Sequence, residues 1–170
     1  GGGYPSLVAA RLLCDRAAEP LQFHNRGISG NRVVDLYARW KRDTLNYKPE
    51  IISILIGVND TWHEAVKDNP NGVEVDRYAQ IFRLLLEWTR NVLPGVKLVL
   101  MEPFVRPFGA VQENWLEELR QRREIVAALS KEFNAVLFPV RKYLMTLVRS
   151  CRRNTGWQTA SIRPLLVISC

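Results

Sequence analysis

Short apolar runs alternate with amphipathic segments along this 170-residue chain. The run IISILIG is continuous, apolar and rich in β-branched residues, as in strands covered on both faces. KLVLMEPF and AVLFPV are further strand candidates, and LQFHN is a short one. Helical spacing is strongest from Val75 to Val92. Further helices are predicted from Pro5 to about Ala18, from Val33 to about Leu45, from Trp115 to Phe133 and from about Arg141. This order predicts an α/β fold, with a parallel sheet covered by helices on both sides.

Two loops rich in Gly and Asn are predicted to meet at one edge of this sheet. The run IISILIG ends in Gly57, Asn59 and Asp60, and the segment NRGISG follows LQFHN. In open parallel sheets, ligands bind beyond the carboxyl ends of the strands. Both loops are therefore candidates for the walls of a functional site.

The net charge of +7 is unevenly distributed and does not by itself indicate nucleic-acid binding. From Arg141 onward the chain carries six basic residues and no acidic one, which leaves +1 for the first 140 residues. A basic nucleic-acid-binding protein would show strongly salt-dependent affinity, carried by this tail. We expect no nucleic-acid partner, because the tail that carries this charge is interpreted below as an out-of-frame reading.

Neither a cofactor nor a metal nor a membrane partner is predicted. The cysteines have no paired metal spacing, and Cys14 lies on an apolar helical face, where a small core residue is expected. The two histidines, His24 and His63, are isolated from each other. No apolar stretch reaches the length that spans a bilayer, and GGGYPSLVAA lacks the pattern of a signal peptide. The compartment and the oligomeric state stay open.

Two blocks in order, NRGISGNRVVDL and ILIGVND, resemble the second and third sequence blocks of the SGNH (GDSL-type) hydrolases. The resemblance extends from Gly1 to about Leu147 and includes GGGYPSLVAARLL and KLVLMEPF. It implies a flavodoxin-like α/β/α sheet and serine ester hydrolysis. Similar enzymes act on acetylated sugars, lysophospholipids and simple acyl esters, so a small-molecule, carbohydrate or lipid ester is the implied substrate.

The resemblance also implies an oxyanion hole formed by the backbone N–H of Gly30 and the side-chain N–H of Asn59. Such fixed donors stabilise the negative charge that develops on the carbonyl oxygen during ester hydrolysis. A plainer alternative is that Gly27 and Gly30 shape a strand-to-helix turn and that Asn59 and Asp60 form a helix cap or a turn. Asp60 is expected to brace the loop rather than to react. We regard His63 as a pocket wall or a helix start rather than as the general base.

The catalytic nucleophile that the resemblance implies is not found in this chain. In the family the serine follows the first strand in a G-D-S block, and that strand lies inside the sheet. Ser6, Ser29 and Ser53 do not fit this block. We therefore expect an SGNH domain truncated at its N-terminus, without its first strand, that extends over residues 1–147 and is inactive as it stands.

Residues 148–170 form a basic tail of unusual composition, with neither Asp nor His. The family's last block has the form D-x-x-H and carries the catalytic base. Codons for Asn154–Ser169 can be written so that the same string, read two bases later, gives HWLADGVHPTPAGHQ, which resembles that block. We interpret the tail as an out-of-frame reading that begins between about Met145 and Arg153. A genuine divergent tail is the alternative.

A different class of function also fits the pattern. The chain could be a non-catalytic, flavodoxin-like module that binds a carbohydrate or a phosphorylated ligand, although no loop has the phosphate-cradling pattern G-x-x-x-x-G-K-[ST]. Four aromatic residues are candidates for either pocket walls or the core: Trp62, Phe104, Phe108 and Trp115.

Overall fold

A computed structural model describes residues 4–66, 68–105, 111 and 113–142 of the chain. The helices are α1 (Tyr4–Asp15), α2 (Val33–Asp43), α3 (Val58–Glu64), α4 (Val75–Val92) and α5 (Glu113–Glu132). The strands are β1 (Ile51–Leu55), β2 (Lys97–Met101) and β3 (Val136–Phe138), and a 3₁₀ turn covers Leu45–Tyr47.

The three described strands form one parallel sheet in the order β1-β2-β3. Ile51 pairs with Lys97 and Leu55 with Met101, while Met101 also pairs with Phe138. The predicted α/β class with a parallel sheet is confirmed. Because β1, β2 and β3 run in one direction, the segments that follow them leave the sheet at the same edge.

The core lies where α4 packs against α2 and α5, and buried residues of these helices join those of the sheet. The apolar stripe of α4 supplies Phe82, Leu85 and Leu86, all fully buried. The Trp40 indole N–H on α2 donates to Thr89 Oγ1 on α4 at 2.9 Å, so the polar groups of this interface are paired. Periodicity predicted α4 correctly because its apolar face is the one that the core covers.

Two predictions for the N-terminal part are wrong. Residues 21–25 form no strand, and most of their side chains are exposed. A strand requires a hydrogen-bonding neighbour, and no described strand pairs with this segment. Cys14 is exposed rather than part of the core, because α1, which ends at Asp15, buries none of its residues.

Several predictions concern residues outside the described part of the chain. They include the basic tail of residues 148–170, most of the helix expected from Arg141, and Phe108. Within the described residues, no helix is both long enough and apolar enough to cross a membrane.

Candidate active site

Gly30 lies in the loop that leads into α2 and has a backbone conformation that favours glycine. Its φ is +86°, in the region that L-residues with a side chain rarely adopt. The backbone N–H of Asn31 donates to Ile28 O at 3.2 Å, which closes a tight turn around it. A side chain at Gly30 would meet nothing within 4 Å, so the space beside this residue is open.

Asn59 joins this turn to the segment that follows β1. Its carboxamide Nδ2 donates to the carbonyl oxygen of Asn31 at 3.0 Å, and its side chain is buried at 5% exposure. An amide nitrogen carries two N–H groups, so this bond fixes the orientation of the carboxamide while using one of them. The structure therefore brings Asn59 beside the residue that follows Gly30, at the edge where both were predicted to lie.

Gly57 makes the sharp bend between β1 and α3. Its φ is +125°, and a Cβ there would lie 3.1 Å from the hydroxyl oxygen of Tyr78 and 3.3 Å from Pro103. The Tyr78 hydroxyl donates to Ile56 O at 3.1 Å. The bend is thus enclosed by α4 and by the segment after β2, and this enclosure sets where Asn59 begins α3.

Asp60 links the loop of Asn59 to the start of α2 and to the segment at Val73, in agreement with its predicted bracing role. Its Oδ1 accepts the backbone N–H of Val33, the first residue of α2, at 2.9 Å, and its backbone oxygen accepts the N–H of Val73 at 3.1 Å. The carboxylate is fully buried, and Oδ2 has no partner among the described residues. Burial raises the pKa of Asp60 to about 6, although the Val33 N–H and the nearby Arg122 favour the charged form.

Asp60 and His63 have the spacing of a D-x-x-H block but are not joined as a base and its orienting acid. The hydrogen bonds of the Asp60 carboxylate within the described chain go to backbone rather than to His63. His63 is half-buried, and its backbone oxygen accepts the N–H of Asn71. The prediction that His63 is not the general base therefore stands as a prediction, with this geometry in its favour.

Arg122 is a residue of the site that the sequence reading missed. It lies on α5 with its side chain fully buried. Nε donates to Thr61 Oγ1 at 3.0 Å and Nη2 to the Val73 backbone oxygen at 2.6 Å, and the guanidinium carbon lies 5.0 Å from the ring centre of Tyr78. Arg122 thereby ties α3 and the residue 73 segment to α5. The missed signal was its place on the apolar stripe of α5, between Leu119 and Val126.

Protonation of Asp60 should make the folded chain more stable in mild acid. Its folded pKa of about 6 lies above the value near 4 expected when unfolded, so the folded state holds the proton more tightly. This contribution is fully present below about pH 4 and is lost as pH rises towards 6 and above, by about 3 kcal/mol. Urea unfolding of the wild type and of Asp60→Asn at pH 4 and pH 7 should show this difference in their free energies.

Asp35→Asn is the matched control, with the opposite sign. The pKa of Asp35 is lowered by the hydrogen bond from Arg32, so its stabilising contribution is lost as pH falls. Relative to the wild type, Asp60→Asn should gain stability from pH 4 to pH 7, whereas Asp35→Asn should change little over that range and should gain stability only as the pH falls below about 4. Equal pH dependence of the wild type and Asp60→Asn would contradict the raised pKa.

A profile of the GDSL-like Lipase/Acylhydrolase family matches residues 1–160. The chain belongs to this family. The resemblance to the SGNH/GDSL hydrolases, which was inferred from the sequence blocks around Gly30 and Asn59, is confirmed.

Similar proteins include esterases and lipases of this GDSL-like family. An acetylxylan esterase of Geobacillus stearothermophilus is 33% identical over 140 residues, which cover 80% of this chain and 62% of that relative. The crystal structure of a GDSL-like lipase from Parabacteroides merdae has a TM-score of 0.80 at 36% identity, covering 88% of this chain and 69% of the other. The acetylxylan esterase Axe2 of G. stearothermophilus has a TM-score of 0.78 at 28% identity, covering 88% and 68%.

The chain thus spans 62% of the length of its curated relative. Among residues 4–66, 68–105, 111 and 113–142, the GDSL-like chain has no group of His, Cys, Asp and Glu side chains that could hold a metal ion.

Proposed function

We propose that Gly30 and Asn59 are oxyanion-hole donors of a serine ester hydrolase. The 170 residues of this chain supply neither the serine nor the general base of that enzyme, and the chain on its own does not turn over esters. The observation that carries this proposal is the 3.0 Å hydrogen bond from Asn59 Nδ2 to Asn31 O. It holds a buried amide donor next to the open turn at Gly30.

The chemistry of ester hydrolysis suits these two groups. Attack on an ester carbonyl places negative charge on its oxygen, and rigid N–H donors stabilise that charge without having to reorganise. The second N–H of Asn59 and the backbone N–H of Gly30 are such donors. Gly30 allows close approach of the substrate, because nothing lies within 4 Å of the place where a side chain would be. Asp60 and Arg122 hold the Asn59 segment in place without contacting the substrate.

The nucleophile and the base would come from outside the matched blocks of this chain. Structures of the relative Axe2 include catalytic variants of a serine, an aspartate and a histidine, with the last two three positions apart. This chain has no G-D-S sequence, and no Asp or His follows residue 140. In the complete reaction, the serine would attack the carbonyl, and the histidine would take its proton and return it to the leaving alcohol.

The proposed substrate is an acetyl ester of a carbohydrate. Two of the relatives described above are acetylxylan esterases, whereas the third is a GDSL-like lipase. A short acyl group requires little apolar surface around the oxyanion donors, and the side chain of Asn59 is itself polar.

The direct test is an assay of the purified chain with a simple acetyl or butyryl ester. We expect no turnover above the rate of the buffer, because an oxyanion hole without a nucleophile and its base does not form an acyl-enzyme. Turnover that is lost on Asn59→Ala would refute the proposed inactivity while supporting the role of Asn59. Turnover that survives Asn59→Ala would instead point to a contaminating esterase.

We also propose that residues 1–147 are part of an SGNH hydrolase domain and that residues 148–170 are read out of frame. The underlying DNA tests this directly. If the codons of Asn154–Ser169, read two bases later, do not give a D-x-x-H block, the frameshift proposal fails and the tail is a divergent segment.

A further inference from the structure

Trp62 presents a large aromatic surface to solvent beside the proposed oxyanion donors. Its side chain is 55% exposed, whereas Asn59, Asp60 and Thr61, which precede it in α3, are buried. Asn59 and Trp62 are three positions apart in one helix, which places their Cβ atoms about 5–6 Å from each other. A ligand whose carbonyl oxygen reaches Asn59 would therefore pass close to the indole ring.

A second tryptophan supports this ring from the protein side. Trp115, on α5, is buried at 7% exposure, and its ring centre lies 6.4 Å from that of Trp62 with an interplanar angle of 36°. Its indole N–H is buried and has no acceptor among the described residues. An aromatic ring that is already backed on one side loses little freedom when a ligand covers the other.

The surroundings of Trp62 favour a ligand with both apolar and polar groups. Along α3 the polar side chain of Asn59 lies one turn before Trp62, and the exposed Val66 follows the helix, so a ligand on the indole would meet a hydrogen-bonding group and only a small apolar surface. An acyl chain of a lipid would need a broader apolar surface. A pyranose ring offers C–H bonds that pack on the negatively polarised face of an aromatic ring, and its hydroxyl groups hydrogen-bond with polar neighbours or water.

We propose that Trp62, backed by Trp115, is the platform on which the sugar ring of an acetylated pyranoside stacks while its acetyl carbonyl reaches Asn59. This inference rests on the proposed oxyanion role of Asn59 and adds the residue that selects a carbohydrate ester. Trp62 contributes binding of the sugar ring and takes no part in bond making or breaking.

The test is a titration of the ¹⁵N-labelled full chain, followed by NMR of the Trp62 indole N–H and the Asn59 carboxamide. The probes are acetylated methyl β-xylopyranoside, methyl acetate and methyl octanoate. We expect the acetylated xyloside to shift both signals and methyl acetate to shift only that of Asn59. Trp62→Ala should weaken binding of the xyloside about fivefold, the size of one aromatic contact, and leave methyl acetate binding unchanged.

Tyr47→Ala is the control, because Tyr47 is another exposed aromatic residue with a ring neighbour, His24, and lies outside the site. It should change the affinity of no probe. If the xyloside shifts Asn59 but binds equally well to Trp62→Ala, the platform is refuted and the oxyanion role stands. If Trp62 responds while no probe moves Asn59, the oxyanion role fails and the platform does not serve an ester. The inference would also be overturned if Trp62→Ala weakened the binding of methyl octanoate more than that of the xyloside. It would equally be overturned if no probe shifted the signal of either residue.

Discussion

Replacing Arg122 by Met is expected to lower the free energy of unfolding by about 3–5 kcal/mol, the usual cost of removing one charge from a buried polar cluster. The variant would leave Thr61 Oγ1 and the Val73 oxygen without the donors that now reach them at 3.0 and 2.6 Å. It would also remove a positive charge that favours the ionised form of the buried Asp60. Met fills a similar volume, so the loss would be electrostatic rather than one of packing.

Arg120→Met is the matched control on the same helix. Arg120 pairs with Glu117 and Glu124, but its side chain is 51% exposed, and exposed ion pairs contribute about 0–1 kcal/mol. Urea unfolding followed by circular dichroism compares the two variants. The loss in Arg122→Met should be larger at pH 7 than at pH 4, because protonated Asp60 no longer needs a positive neighbour.

Arg122→Lys keeps the experiment informative if Arg122→Met does not fold. Lys retains the charge but not the planar fork that contacts both Thr61 and Val73, so we expect a folded chain of intermediate stability. Equal stability of Arg122→Met and Arg120→Met would contradict the bracing role of Arg122.

The strongest sequence patterns gave the sheet and the long helices, because in them the local preference and the tertiary environment agree. The bounds predicted for α4, Val75 to Val92, are those observed. The cores of β1 and β2 lie inside the predicted runs IISILIG and KLVLMEPF. The Gly and Asn residues at the end of β1 indicated the site edge before any contact was known.

The errors lie where the environment decides against the local pattern. Residues 21–25 have strand-like composition, but composition does not reveal whether a neighbouring strand is present. Cys14 lies on an apolar helical stripe, yet the described structure places nothing over it. Arg122 was not singled out from the sequence, where the charged Arg120 and Arg123 lie close to it. Arg122 differs from these two arginines in lying three residues after Leu119 and four before Val126, on the buried side of α5.

Supplying the proposed nucleophile and base from a relative would give the largest expected catalytic effect. A chimera could join residues 4–142 of this chain to the segments of the Geobacillus acetylxylan esterase that carry its catalytic serine and its aspartate–histidine pair. We expect it to hydrolyse acetyl esters. Asn59→Ala in that chimera should then lower kcat by about 10²–10³-fold, or about 3–4 kcal/mol of barrier, as removal of one oxyanion donor does.

The split between kcat and KM tests whether Asn59 acts on the transition state. A donor that binds the developing oxyanion more strongly than the ground-state carbonyl changes kcat with little change in KM. Asn91→Ala, an exposed Asn at the end of α4 before β2, should leave both constants unchanged, since it lies at the opposite edge of the sheet. If Asn59→Ala raised KM while kcat stayed the same, Asn59 would bind substrate without stabilising the oxyanion, and its hydrogen bond to Asn31 O would serve only to hold the two loops together.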